Sequence, residues 1–223
     1  MFKVAVIIPA HNEEKTVTDV VRKAKSSPLI NEVIVVSDGS RDKTAQIARQ
    51  AGADKVIELP RRRGKGEAMA CGVKETDAPF LFFLDADLLG LTPEHLAEIL
   101  EPVLRGKLVM NVGLRDRGWL GTWLARHLPL IGGERAMRRE IFENVPEKYR
   151  QNFKVETSLN YYCRANRLPY DKVVLYRIGL VRKMQKFGFW VGIWEYLKMG
   201  WEILKNMAEV RMVRQAFITK KDV

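Results

Sequence analysis

Val4 to Ile8 is an unbroken apolar run, mostly β-branched and closed by Pro9, and shorter apolar stretches return at Val33 to Val36, Val56 to Leu59 and Phe80 to Leu84. Strands that are apolar at every position, rather than at alternate ones, are buried on both faces, as in a parallel sheet covered by helices on either side. The intervening segments read as those helices. Asn12 is placed to cap one with the stripe Val17, Val20, Val21 and Ala24, ending near Ser26-Ser27-Pro28. Asp38-Gly39-Ser40 turns the chain toward a second, with Ala45, Ile47, Ala48 and Ala51 apolar and Gly52 set to end it in a left-handed conformation. A third runs through Ala68 to Val73. Thr92-Pro93-Glu94 opens a fourth with a capping hydroxyl, a proline at the first position and an acid in the first turn. Leu108 to Val112 is expected to be a fifth strand.

This alternation predicts a doubly wound α/β fold with a mostly parallel sheet, whose ligand crevice lies beyond the carboxyl ends of the strands. Polar clusters fall at those ends: Asn12-Glu13-Glu14, Asp38-Gly39-Ser40, Gly64-Lys65-Gly66 and Asp85-Ala86-Asp87. With 223 residues, 47% hydrophobic, the chain can bury one sizeable core, and disorder is excluded.

The net charge of +11 is unevenly placed. Residues 1–100 carry 14 Lys and Arg against 15 Asp and Glu, whereas 101–223 carry 24 against 12, so the second half is expected to meet something anionic. Cys71 and Cys163 form no Cys-x-x-Cys pair, which excludes a disulfide framework or zinc ribbon and favours a reducing, cytoplasmic setting. The apolar start ends too early, at Pro9, for a signal peptide, and no apolar run is long enough to span a bilayer.

Asp85 and Asp87 follow an oily strand directly. Two acids so placed repel each other, and a hard cation such as Mg²⁺ or Mn²⁺, which takes one or two carboxylates plus substrate phosphates, would relieve the repulsion. The alternative is that Asp87 caps the next turn and Asp85 is solvated. Asp38 is placed to accept from a base or ribose, or else to form an ordinary turn and N-cap. Glu13 and Glu14 could face the same ligand, though first-turn acids commonly just complement a helix dipole. Arg61-Arg62-Arg63-Gly64-Lys65-Gly66 brings cations and backbone amides to a helix start, where a diphosphate would fit. It is not a Walker A loop, no Gly-x-Gly-x-x-Gly follows the first strand, and the three histidines have no metal-ligand spacing.

Taken together, Val6 to Glu14, Val33 to Asp42, Arg63-Gly64-Lys65-Gly66 and Leu84-Asp85-Ala86-Asp87-Leu88 resemble the family-2 glycosyltransferases of the GT-A fold, a likeness covering about residues 3–180 and strongest over the first 90. The resemblance implies a nucleotide-diphosphate-sugar donor, UDP- or GDP-linked. Pro9, Ala10, Asn12, Glu13 and Asp38 would contact the nucleoside, Gly64 and Lys65 the ribose or phosphates, and Asp85, Ala86 and Asp87 would form the Asp-x-Asp metal motif. Gly132-Gly133-Glu134-Arg135-Ala136 and Phe153 to Ser158 are similar to the acceptor half of glucosyl-3-phosphoglycerate synthases and, more loosely, of polyprenyl-phosphate sugar transferases. Gly133, Glu134, Arg135, Glu156 and Thr157 would then line the pocket of a phosphorylated or lipid-phosphate acceptor, with Asp87 and Glu156 the catalytic candidates and Glu156 the base. Glu134 and Glu156 each read alternatively as an acid at a helix start. The histidine that often completes the family's metal site is missing from Val181-Arg182-Lys183-Met184.

The expected organisation is a glycosyltransferase domain over 1–185, divided into a nucleotide-sugar half (1–115) and an acceptor half (116–185), then an amphipathic helical tail over 186–223. Trp190, Trp194 and Trp201, flanked by cations, suit a helix lying on the cytoplasmic membrane face, with core packing or a homodimer contact as the alternative. Two rival functions stand beside transfer. A sugar-phosphate nucleotidyltransferase would carry a glycine-rich loop after the first strand, where Pro9-Ala10-His11-Asn12 has none. A nucleic-acid-binding module would place aromatics among its cations, and Arg61 to Lys65 has no such neighbours, so no nucleic-acid partner is expected.

Overall fold

A computed structural model describes residues 3–116, 132–150 and 154–180. The elements, in chain order, are β1 (Val4–Ala10), α1 (Val17–Ser26), β2 (Glu32–Asp38), α2 (Thr44–Gln50), β3 (Lys55–Leu59), α3 (Lys65–Lys74), β4 (Phe80–Phe83), β5 (Leu88–Leu89), α4 (Pro93–Leu104), β6 (Met110–Arg115), β7 (Arg135–Arg138), α5 (Arg139–Glu143), α6 (Lys154–Ala165), β8 (Tyr170–Leu175) and β9 (Gly179–Leu180). Seven strands form one sheet in the order β3-β2-β1-β4-β7-β6-β8, and β5 pairs with β9 in a small ribbon. Every pairing in the main sheet is parallel except those of β7, which runs antiparallel to both β4 and β6. The doubly wound, mostly parallel expectation is met.

Strand periodicity divides the core. In β1, Val4, Val6 and Ile8 pack with Val17, Val20 and Val21 of α1 and Leu96, Ile99 and Leu100 of α4. Ile7 points the other way, toward Met69 and Val73 of α3 and a cluster reaching Phe142 and Leu159. The Thr92 hydroxyl caps α4 and His95 reciprocates, completing the expected helix start. Both cysteines are free. Among the described residues no helix is long and apolar enough to cross a membrane.

Three local expectations are corrected. Asn12 caps no helix: α1 starts at Val17, and Asn12 has φ +56° and accepts from the Arg41 amide. Glu13 and Glu14 therefore precede the helix, whose own first-turn acid is Asp19. Glu134 opens no helix but stands immediately before strand β7, whereas Glu156 does lie in the first turn of α6. The fifth large strand is shifted, beginning at Met110 and running on to Arg115. The tail over 186–223 and Val181 to Met184 lie outside the described residues.

Candidate active site

The carboxyl ends of β1, β2, β4 and β6 meet the start of β7 and the N-terminal ends of α3 and α6 along one edge of the sheet. The first two loops there are stitched together. Asn12 N donates to Ser40 Oγ at 3.1 Å, Glu13 N to Thr44 Oγ1 at 2.8 Å and Glu14 N to Asp42 Oδ2 at 3.2 Å. Pro9 and Ala10 are still part of β1, paired with Val36 and Ser37.

Asp38, only 4% exposed, is no helix cap, since α2 begins at Thr44. Its carboxylate receives the amides of Arg63 at 2.6 Å and Gly64 at 2.8 Å. Gly39, at φ +62°, lets the same loop pass: a Cβ there would stand 2.3 Å from the Arg62 nitrogen. The Asp38 turn thus grips the basic loop just ahead of α3. Arg61, Arg62 and Arg63 are exposed, while Lys65 enters the crevice.

There the Lys65 ammonium lies between two carboxylates, 2.6 Å from Asp85 Oδ1 and 2.6 Å from Glu156 Oε1. Burial alone would lower the Lys65 pKa, but Asp85 and Glu156 outweigh it and hold it above the ordinary lysine value. Burial likewise raises the Asp85 carboxyl, and the bonded Lys65 with Arg115 and Arg135 more than offsets this, leaving it below the usual carboxylate range. Asp85 is therefore not simply solvated. Ala86 is buried and Asp87 half-buried.

Gly132 and Gly133 bring the chain ahead of β7 up to this cluster. A Cβ on Gly133 would stand 2.1 Å from Asp85 Oδ2, and one on Gly132 2.4 Å from the Gly113 carbonyl. Glu134, fully buried, follows. Among the described residues neither of its carboxylate oxygens has a hydrogen-bond partner, and Arg115 Nε lies 3.8 Å from Oε1. Burial first, and the Asp85 charge second, push its pKa up to about 7. Arg135 is also fully buried, donating to the carbonyls of Glu156 at 3.2 Å and Gly132 at 2.5 Å. Glu156 Oε2 and Thr157 Oγ1 are buried with no hydrogen-bond partner among the described residues.

The structure thus brings Gly64, Lys65, Asp85, Gly133, Glu134, Arg135 and Glu156 into one cluster and keeps Asn12 and Glu13 in the stitched loops beside it. Sequence reasoning missed Arg115. Ending the fifth strand at Val112 hid the fact that this cation, like the other polar clusters, sits at a strand's carboxyl end.

The family model for glycosyl transferase family 2 matches residues 5–173. The chain belongs to this family. The family-2 fold is also evident in solved structures. Glucosyl-3-phosphoglycerate synthase of Mycobacterium tuberculosis, crystallised with Mn²⁺, UDP-glucose and phosphoglyceric acid, superposes with a TM-score of 0.69 at 26% identity, over 80% of this chain and 72% of that one. The same enzyme with Mg²⁺ and UDP gives 0.69, covering 80% and 71%. In sequence, glucosyl-3-phosphoglycerate synthase of Mycolicibacterium smegmatis is 37% identical over 109 residues, 45% of this chain and 36% of that protein. Dolichyl-phosphate beta-glucosyltransferase of Drosophila melanogaster is 38% identical over 108 residues, 42% and 33% of the two. The matched region spans about a third of the length of these two relatives.

Proposed function

We propose that this family-2 chain transfers a sugar from a nucleoside-diphosphate-sugar, UDP-linked, to a phosphorylated acceptor, with Mg²⁺ or Mn²⁺ at the donor. The observation that carries the reading is the convergence of Lys65, Asp85, Glu134 and Glu156 at the sheet's carboxyl edge, beside the stitched loops after β1 and β2. The mycobacterial neighbours, with their UDP, divalent cations and phosphoglyceric acid, support the same choice of ligands.

A hard cation needs only one or two protein carboxylates when a diphosphate supplies further oxygens. Asp85 and Asp87 offer such a pair at the exit of β4. Among the described residues no group of three or more His, Cys, Asp or Glu could hold an ion by itself. The donor set therefore fits an ion shared with the substrate's phosphates and water. Bound there, the cation neutralises the departing diphosphate.

In this reading Pro9, Ala10, Asn12 and Glu13 flank the nucleoside. Asp38 acts on the donor through the loop it holds, presenting Gly64 and Lys65 to the phosphates. Gly133, Glu134, Arg135, Glu156 and Thr157 line the acceptor side. Glu156 is available as a base once Lys65 leaves its carboxylate. Glu134, with a pKa near neutrality, is matched to holding and releasing a proton.

The test is a thermal-shift screen of nucleoside diphosphates with and without Mn²⁺, followed by transfer assays from UDP-glucose to 3-phosphoglycerate and to a polyprenyl phosphate. A Mn²⁺-dependent rise in melting temperature with UDP is expected. No shift with any nucleoside diphosphate, or pyrophosphate release from a nucleoside triphosphate and a sugar phosphate, would overturn it.

A further inference from the structure

The carboxyl edge of the sheet carries different chemistry at its two ends. Where the chain leaves β2 and β3, Arg41, Lys43, Arg61, Arg62 and Arg63 are all exposed. Among the described residues none of these five side chains is paired with an acid. Acids nearby bond backbone amides instead: Asp38 receives those of Arg63 and Gly64, Asp42 those of Glu14 and Thr44, and Glu14 that of Lys43. These bonds, with the close passage of Gly39 along the backbone of Arg61 and Arg62, tie the two loops together, so the cations stand on one fixed base.

Toward the other end, the large hydrophobic side chains exposed among the described residues are Leu89, at 42%, and Tyr176, at 61%. Leu89 belongs to β5, shortly after the exit of β4, and Tyr176 follows the carboxyl end of β8. The turns that carry them pack on each other: Gly90 has φ +75°, and a Cβ there would stand 2.7 Å from the Arg177 carbonyl oxygen. Arg177 is itself exposed.

We propose that this edge is a docking face for an anionic bilayer surface, with the cations after β2 and β3 on lipid phosphates and Leu89 and Tyr176 seated among the headgroups, so that the crevice between them opens toward the membrane. The proposal goes beyond the donor reading above and does not depend on it. A bilayer interface is met by cations together with a few aromatic and aliphatic side chains at headgroup level, whereas the core of a protein interface is apolar and depleted of charge. Here the two exposed large hydrophobics are outnumbered by unpaired cations. Seven strands spaced about 4.8 Å apart make the edge about 29 Å broad, so the two ends can touch one surface at once. Weak signals of this kind attach a protein stably only in combination. Continuity of the chain points the same way: Leu89 pairs with Gly179 of β9, and the sequence that follows β9 carries Trp190, Trp194 and Trp201 among cations, a composition that bilayer interfaces favour.

The test is co-sedimentation of the full chain, without donor or metal, with vesicles of phosphatidylcholine alone or with about a third phosphatidylglycerol, with circular dichroism as a folding control. The wild type is expected to bind the anionic vesicles at least about tenfold more tightly than the neutral ones, and less tightly as salt rises. Each Lys or Arg near an anionic surface is worth about fivefold in partitioning, so Arg61→Gln with Arg62→Gln should lower it about 25-fold. Leu89→Ser with Tyr176→Ser should weaken the binding that survives high salt by at least about tenfold. Wild-type-like binding in either folded double variant would overturn the proposal, since attachment would then lie elsewhere in the chain. Absence of binding to anionic vesicles, or equal binding to neutral ones, would do the same. Tight binding to RNA or to an acidic polypeptide without vesicle binding would give the face to another class of partner and equally overturn it. Failure of the donor reading shows separately, as a wild type with no Mn²⁺-dependent response to UDP.

Discussion

Gly133 packs against the Asp85 carboxylate so closely that a Cβ there would stand 2.1 Å from Oδ2. This contact fixes where the acid after β4 can point, and it joins the loop before β7 to the exit of β4 without a hydrogen bond. Gly133→Ala should therefore push the carboxylate away from Lys65. Because small displacements of reacting groups cost up to about a hundredfold in rate, transfer should fall by about that factor. Circular dichroism should remain unchanged, and a fully active variant would remove the contact from the catalytic argument.

Asp38 holds the basic loop through the Arg63 and Gly64 amides. Asp38→Ala leaves both donors without their carboxylate and should cost about 2–3 kcal/mol in urea unfolding. Calorimetry should show weaker UDP binding, because the loop that presents Lys65 is freed. Asp38→Asn keeps an acceptor oxygen and should recover part of both losses.

The Glu134 carboxyl has a folded pKa of about 7 against an ordinary 4.5, so the folded state binds its proton more tightly than the unfolded chain does. Its contribution to stability is fully present below the unfolded value and is lost as pH rises through the folded one. Stability should decline by about 3 kcal/mol between those limits. Glu134→Gln, neutral throughout, should flatten that slope in denaturant titrations run across the range. An unchanged slope would mean that another group is responsible.

Asp87→Ala should abolish metal-dependent donor turnover while the melting temperature stays close to that of the wild type, since Asp87 is half-buried at the crevice rather than part of the core. Full activity in this variant would refute its assignment as a metal ligand.

Gly72 on α3 faces Ile7 of β1, and a Cβ there would stand 2.5 Å from Ile7 Cγ2. Gly72→Ala should destabilise the domain by about 1–3 kcal/mol through overpacking. Urea midpoints would register the loss, which should be partly relieved by adding Ile7→Val.

The parallel framework was legible because its signals are local. Apolar runs such as Val4 to Ile8 are long enough to declare strands buried on both faces, and Thr92-Pro93 declares a helix start through its own chemistry. The placement of polar clusters at strand ends followed from the same alternation. The antiparallel strand β7 was not legible. Arg135-Ala136-Met137-Arg138 is short and carries a cation at each end. It becomes a strand because β4 and β6 supply the backbone partners on both sides, and Arg135 is buried because carbonyls of Glu156 and Gly132 receive its guanidinium. Glu134 consequently reads in the sequence as an acid opening a helix, and in the fold as a buried acid at a strand's start.

By itself the sequence determined which segments become strands and helices, and hence that the Asn12, Asp38, Lys65 and Asp85 clusters share one edge, since hydrophobic periodicity and capping act over a few residues. Only the tertiary structure decided what those side chains meet: Asp38 the amides of its neighbouring loop, Lys65 both Asp85 and Glu156, and Glu134 an enclosed position that moves its pKa. The hydrogen-bonded partners lie 20 to 91 positions apart. Their geometry and desolvation exist only once the sheet has assembled, because charge pairing and burial depend on distance in space rather than along the chain.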